Sequence, residues 1–171
     1  MGCGWLGFPL AQRLVNRGFT VKGTTTSPSK IQHLQDEGIQ PFLVGLSENG
    51  IQGPIGEFLT GVDTLIINVP PKLRGNATEN YVDKMKHLLE AIGKSTVSQV
   101  LFISSTAVYG DAEGEITEDT PLAPVTESGK QLVACENLFR NQKGFTASII
   151  RFGGLIGPDR HPVTTLSGRE G

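Results

Sequence analysis

Gly2-Cys3-Gly4-Trp5-Leu6-Gly7, at the start of the chain, is the stretch whose reading decides the fold. It has the spacing G-x-G-x-x-G, in which each glycine has its own physical task. The first permits a tight turn, the second lets the backbone approach a diphosphate, and the third lets the following helix pack closely on a strand. Behind it Leu6, Leu10, Ala11, Leu14 and Val15 recur at helical spacing until Gly18 ends the helix. A helix that opens on such a turn presents free N–H groups and the positive end of its dipole to an anion. The stretch therefore predicts dinucleotide binding through Gly2, Gly4, Trp5, Leu6 and Gly7, with Trp5 and Leu6 packing near the turn rather than touching substrate.

Outward from the turn, short apolar runs alternate with helical patterns. Strands are predicted over 19–23, 41–44, 64–69, 99–103 and 146–152. Helices are predicted from Ser27-Pro28 to Gly38, over Thr78–Lys94 (Val82, Met85, Leu88, Leu89 and Ile92 in one stripe) and from about Thr126 to Asn141. The piece from Ser47 to Gly61 reads as irregular, with one short helix around Phe58. Such alternation is the pattern of an α/β fold, here a Rossmann-type doubly wound parallel sheet with helices on both faces. A fingerprint of this kind should follow a strand, yet only Met1 precedes Gly2. The expectation is a fragment with the first strand missing: residues 1–158 as an NAD(P)-binding domain incomplete at its N-terminus, and 159–171 as the start of a truncated C-terminal substrate-binding region. A complete but minimal domain is the alternative. Without a central strand, unpaired buried backbone would make the isolated chain unstable or prone to aggregate.

The bulk properties narrow the class. With 171 residues and a net charge of −2 there is length for one ordinary domain and no basic patch for nucleic acid or an anionic membrane. No apolar run approaches the roughly 18–20 residues that span a bilayer. Two cysteines, Cys3 and Cys135, make no disulfide framework and fit a reducing cytoplasm. His33, His87 and His161 are scattered without ligand spacing, so no metal site is expected. The charge run Asp111, Glu113, Glu115, Glu118, Asp119 reads as a solvated loop.

Cofactor preference is written at the tip of the second strand. A carboxylate there would bond the adenosine ribose hydroxyls. This chain has Lys22-Gly23-Thr24-Thr25-Thr26-Ser27, then Lys30 a helical turn on. Hydroxyls of Thr24, Thr25 and Thr26 with Lys22 or Lys30 suit a 2′-phosphate better than a bare diol, favouring NADP over NAD. The competing view is that these residues only cap the next helix.

Ser104-Ser105-Thr106-Ala107-Val108-Tyr109-Gly110 resembles the fifth-strand ending of the extended short-chain dehydrogenase/reductase superfamily, the sugar-nucleotide epimerases and dehydratases. Arg151-Phe-Gly-Gly-Leu-Ile-Gly-Pro158 resembles the family's sixth-strand ending, and the glycine turn is a third match. Asn68-Val69-Pro70-Pro71, with Asn80-Tyr81 after it, resembles an atypical branch labelled NAD-dependent epimerase/dehydratase, whose members often keep the cofactor site while losing parts of the catalytic set. The family's Y-x-x-x-K pair falls on Thr126-Glu127-Ser128-Gly129-Lys130, so the lysine is kept and the tyrosine is replaced by Thr126. A threonine hydroxyl is too short and too weak an acid for the tyrosine's part.

The resemblance implies narrower roles. Lys130 would hydrogen-bond the nicotinamide ribose, Ser105 would orient a substrate hydroxyl, and Val69 and Pro70 would pass the cofactor ribose. Gly45 stands where many relatives carry an Asp near the adenine. Ser104 and Ser105 could equally be turn caps, and Tyr109 could pack at the strand end or substitute as an acid. Family members often dimerise through the helices placed here at Thr78–Lys94 and Thr126–Asn141, which implies a homodimer unless those stripes face the sheet. Two functions follow: an NAD(P)-dependent oxidoreductase or epimerase-like enzyme on a small hydroxyl or carbonyl, sugar-like substrate, or a redox-inactive dinucleotide-binding sensor or scaffold.

Overall fold

A computed structural model of the chain describes residues 1–71, 79–157, 159–161 and 163. The helix behind the glycine turn, α1 (Gly7–Val15), leads to the parallel pair β1 (Lys22–Thr25) and β2 (Gln40–Leu43), joined through α2 (Ile31–Asp36). Ser27-Pro28 begins a 3-10 turn, Pro28–Lys30, before α2, and Ser27 Oγ pairs with Ser29 Oγ rather than capping a helix. The Ser47–Gly61 piece holds a small antiparallel hairpin, β3 (Gly45–Ser47) with β4 (Gly50–Gln52), and the short helix α3 (Ile55–Leu59) around Phe58. Its strands lack the apolar alternation that marks a half-buried strand, which is why periodicity passed over them.

A second parallel sheet follows in the order β5 (Thr64–Ile67), β6 (Gln99–Ser105), β7 (Thr146–Phe152). Between these strands run α4 (Tyr81–Ile92), started by Asn80 accepting from the Asp83 N–H, and α5 (Glu127–Arg140), started by Thr126 accepting from the Gly129 N–H. Thr78, the expected start of α4, and residues 164–171 of the expected substrate region lie outside the described residues. The acidic loop 111–119 is exposed, as a solvated run should be.

Two buried clusters hold the elements. The larger joins Leu65, Ile67, Val100 and Phe102 of the sheet to Met85 and Leu88 of α4 and Leu132 and Phe139 of α5. Phe102 and Phe139 stack with centroids 4.8 Å apart. The apolar stripes of α4 and α5 thus pack mostly on their own sheet, with Val82 and Leu89 of α4 half-buried. The smaller cluster is Ala11, Leu34 and Ile39, with Cys3, Phe8, Val15 and Val21 against it.

Among the described residues no strand lies between β1 and β5. At its top the space is crossed by residues 1–3: the Met1 ammonium donates to the Ile66 carbonyl (2.6 Å), Asn68 N–H donates to Met1 O (3.0 Å) and Cys3 N–H donates to Thr24 O (2.9 Å). Below lies a cavity of about 670 Å³ lined by Leu10, Leu14, Phe19, Val62, Leu65 and Ile66. Leu10 and Phe19 are consequently 36% and 61% exposed. The gap also explains why the expected strand 19–23 begins only at Lys22: Phe19 N–H turns back to Leu14 O to close α1.

Alternation along β5 sends the Leu65 and Ile67 backbone to β6, since Asp63 O accepts from Ser98 and Gln99, and sends Thr64 and Ile66 into the gap. By hydrogen exchange, the Thr64 and Ile66 amides are expected to exchange much faster than those of Leu65 and Ile67. Equal protection of all four would mean that the gap is not open in solution.

Candidate functional site

The glycine turn sits where the upper ends of β1 and β5 converge, and two of its three glycines are required by contact. A Cβ on Gly2, whose φ is +88°, would lie 2.4 Å from Asn68 O, and one on Gly7 would lie 2.1 Å from Gly2 O. Gly4 faces open space, with nothing within 4 Å of where its Cβ would be. The turn is tied on both sides: Gly2 N–H donates to Thr24 Oγ1 (2.9 Å), and Asn68 Nδ2 donates to Gly2 O (3.5 Å). Burial foremost pushes the Cys3 thiol above its ordinary range.

The helix that begins here has no side-chain cap on Leu6 and no acid in its first turn. The N–H groups of Gly4, Trp5, Leu6 and Gly7 have no acceptor among the described residues. Four unpaired donors, an unneutralised helix dipole and an unobstructed Gly4 together form a cradle suited to a diphosphate.

The expected specificity residues divide. Thr24 and Thr25 are buried, and their hydroxyls accept from the Gly2 and Ser27 N–H groups (2.9 and 3.1 Å), so they brace the turn and the strand tip. Thr26 and Lys30 are exposed at that tip. Lys22 points away: its Nζ donates to Glu57 O and Thr60 O (2.9 and 2.7 Å), capping the C-terminal carbonyls of α3 at the opposite end of β1. It cannot meet an adenosine phosphate from there.

Across the top of β5, Val69 adjoins Gly2 (3.3 Å from where a Gly2 Cβ would be) and its carbonyl accepts from Tyr81 OH at 2.5 Å. Burial pushes the Tyr81 phenol well above its usual range, so it remains a donor. Pro70 is exposed beside it. Ser105 ends β6, and its Oγ accepts from the Ala107 N–H at 3.2 Å to start the 3-10 turn Thr106–Tyr109. Gly129 is pressed against that turn, a Cβ there falling 2.7 Å from Ala107 O. This contact sets the start of α5, which carries Lys130, against the turn that follows Ser105. Lys130 is exposed and has no partner among the described residues. Thr126 Oγ1 is occupied as the cap of α5, accepting from Gly129 N–H at 3.1 Å.

Beneath this contact lies a buried polar cluster that the sequence reading missed. Glu136, with 0% exposure, accepts from Ser104 Oγ (2.7 Å), Arg151 Nε (3.0 Å) and Arg151 Nη2 (2.6 Å). Arg151 Nη1 donates to Tyr109 OH at 2.7 Å, which makes Tyr109 a packed member of the cluster. The bonds to Glu136 raise the Arg151 pKa further above its ordinary value. The available signal was a charged residue in each of two apolar stretches, Glu136 in α5 and Arg151 in β7.

The model of the NAD dependent epimerase/dehydratase family matches residues 2–168. The chain belongs to that family. Among curated relatives, Protein YeeZ of Escherichia coli (strain K12) is 34% identical over 170 residues, 99% of this chain and 62% of the relative. The chain thus spans less than two thirds of that relative's length. A functionally unknown conserved protein from Silicibacter pomeroyi DSS superposes with a TM-score of 0.72 at 26% identity, covering 98% of this chain and 56% of that one. A UDP-glucuronic acid 4-epimerase from Bacillus cereus, solved in complex with NAD, gives 0.75 at 22% identity, covering 94% and 56%, a likeness of fold. The fold is therefore the Rossmann type expected from the sequence, carried by a chain shorter than these relatives.

Replacing Glu136 by Ala leaves the buried Ser104 hydroxyl and the part-buried Arg151 guanidinium without their shared carboxylate. The loss of stability is expected to be about 3–5 kcal/mol, read as a lower denaturant midpoint. A change below about 1 kcal/mol would show that solvent reaches the cluster, as it does at exposed pairs.

Proposed function

We propose that this chain is the NAD(P)-binding part of an oxidoreductase or epimerase-like enzyme acting on a hydroxyl or carbonyl of a sugar-like substrate. The observation that carries the proposal is the glycine turn, with four N–H donors that have no acceptor among the described residues and open from an uncapped helix start. Gly2, Gly4, Trp5, Leu6 and Gly7 would hold the diphosphate, while Val69 and Pro70 would flank the ribose. Bound there, the dinucleotide would supply hydride chemistry at its nicotinamide. Lys130, unpaired among the described residues, would hydrogen-bond the nicotinamide ribose, and Ser105 would orient the substrate hydroxyl. The sugar-like substrate class is proposed from the family description and from relatives named as sugar-nucleotide epimerases.

NADP is the proposed cofactor, with NAD as the alternative, which the family description names. The proposal rests on exposed Thr26 and Lys30 and on the lack of a carboxylate at the β1 tip. The division into 1–158 for nucleotide and 159–171 leading toward substrate belongs to the same reading. A cytoplasmic setting suits two free thiols, Cys3 and Cys135.

One observation favours a second reading, a redox-inactive sensor or scaffold. Thr126 stands in the place of the family's tyrosine and is spent as a helix cap. Among the described residues, Ser105 and Lys130 then hold and orient without a strong general acid beside them.

Titrating the chain with NADPH and NADH, followed by nicotinamide fluorescence, is expected to show saturable binding, tighter for NADPH. Lys30→Ala should erase that preference by removing one charge-assisted contact, roughly tenfold in Kd. A folded chain that binds neither nucleotide would refute the proposal. Tight binding with no change in nicotinamide absorbance across a panel of UDP-sugars would support the sensor reading.

A further inference from the structure

The glycine turn carries one feature that a dinucleotide fingerprint does not require: its tryptophan is gripped by the chain's distant end. After β7, Gly157 and Arg160 form an antiparallel bridge, Arg160 N–H donating to Gly157 O at 3.0 Å. Gly157, Asp159 and Arg160 each meet the Trp5 side chain. Gly157 lies against the indole so tightly that a Cβ would fall 2.4 Å from Cζ2. Asp159 Oδ1 accepts from Trp5 Nε1 at 2.5 Å, and this bond holds the exposed Asp159 carboxyl below its ordinary range. The Arg160 guanidinium lies over the ring, 4.1 Å from its centroid.

These contacts hold a cation on the side chain of Trp5, whose backbone N–H is one of the free donors of the turn. Arg160 forms no direct ion pair among the described residues; the Asp159 carboxylate bonds the indole and meets Arg160 only through space, leaving the guanidinium N–H groups open. The uncapped start of α1 supplies only about half a positive charge. A dinucleotide's diphosphate brings two negative charges, so the backbone cradle alone leaves most of that charge uncompensated. A guanidinium's planar fork matches phosphate oxygens and stacks on an aromatic face at the same time, which a lysine cannot do.

We propose that Arg160 is a diphosphate-binding residue of the dinucleotide site, held at the glycine turn by its stack on Trp5. The inference rests on the dinucleotide reading above and adds the residue that completes the charge at that site. Trp5, the chain's single tryptophan, becomes a reporter of occupancy.

The test titrates the wild-type chain, Arg160→Ala and Arg160→Lys with NADH and with adenosine, reading Trp5 fluorescence and checking each fold by circular dichroism. Loss of one charge-assisted pair is expected to raise the Kd for NADH roughly 10- to 100-fold in Arg160→Ala. Arg160→Lys should recover only part of this, and adenosine, which has no diphosphate, should bind all three proteins alike. The salt dependence of NADH binding should be shallower in Arg160→Ala. Equal NADH affinity in wild type and Arg160→Ala would overturn the inference while leaving the dinucleotide site standing. No NADH binding by the wild type would overturn both.

Discussion

The structure depends on how closely two backbones approach at Gly2 and Asn68. With only 2.4 Å between the Asn68 oxygen and the place of a Gly2 Cβ, no larger residue lets the turn sit on top of β5. Gly7 repeats the constraint against Gly2 itself, at 2.1 Å. Because both positions are glycine, α1 can begin at the point where the β1 and β5 ends meet, and its free N–H groups open at the carboxyl ends of parallel strands. That is where open α/β sheets bind their ligands. Thr24 and Asn68, one from each side, hydrogen-bond the turn and keep this convergence in register.

Two levels of support lie beneath the site, and they differ in kind. The larger apolar cluster anchors β5 and β6 through α4 and α5, so Val69, Ser105 and Lys130 stand on packed elements. Under Ser105 the support is polar: Glu136 receives Ser104 and Arg151 with no exposure to water. Buried charge costs free energy unless every partner is present, and it fixes geometry when they are. The β1 side has a smaller apolar cluster, Ala11, Leu34 and Ile39, and a cavity between its strand and β5.

Much of this was legible in the sequence because local periodicity coincided with burial. β7 lies where the apolar run Thr146–Phe152 put it, and α5 starts at Thr126 because a threonine before a helical stripe is a good cap. The glycine spacing located the cradle. What was not legible depends on partners far apart in the chain. Glu136 and Arg151 acquire meaning only when α5 packs on β7, and Trp5 meets Asp159 across 154 positions. Lys22 looked like a specificity residue from its neighbours in sequence, but strand direction places it at the other end of β1. Thr24 and Thr25 looked like ligand hydroxyls, and the backbone claimed them first.

Whether the free backbone donors between Gly4 and Gly7 hold the nucleotide is read most directly by an amide-resolved NMR titration with NADPH. The largest backbone N–H shifts are expected at Gly4, Trp5, Leu6 and Gly7, with smaller ones at Thr26 and Lys30. Saturable binding that leaves those four amides unmoved would place the nucleotide elsewhere.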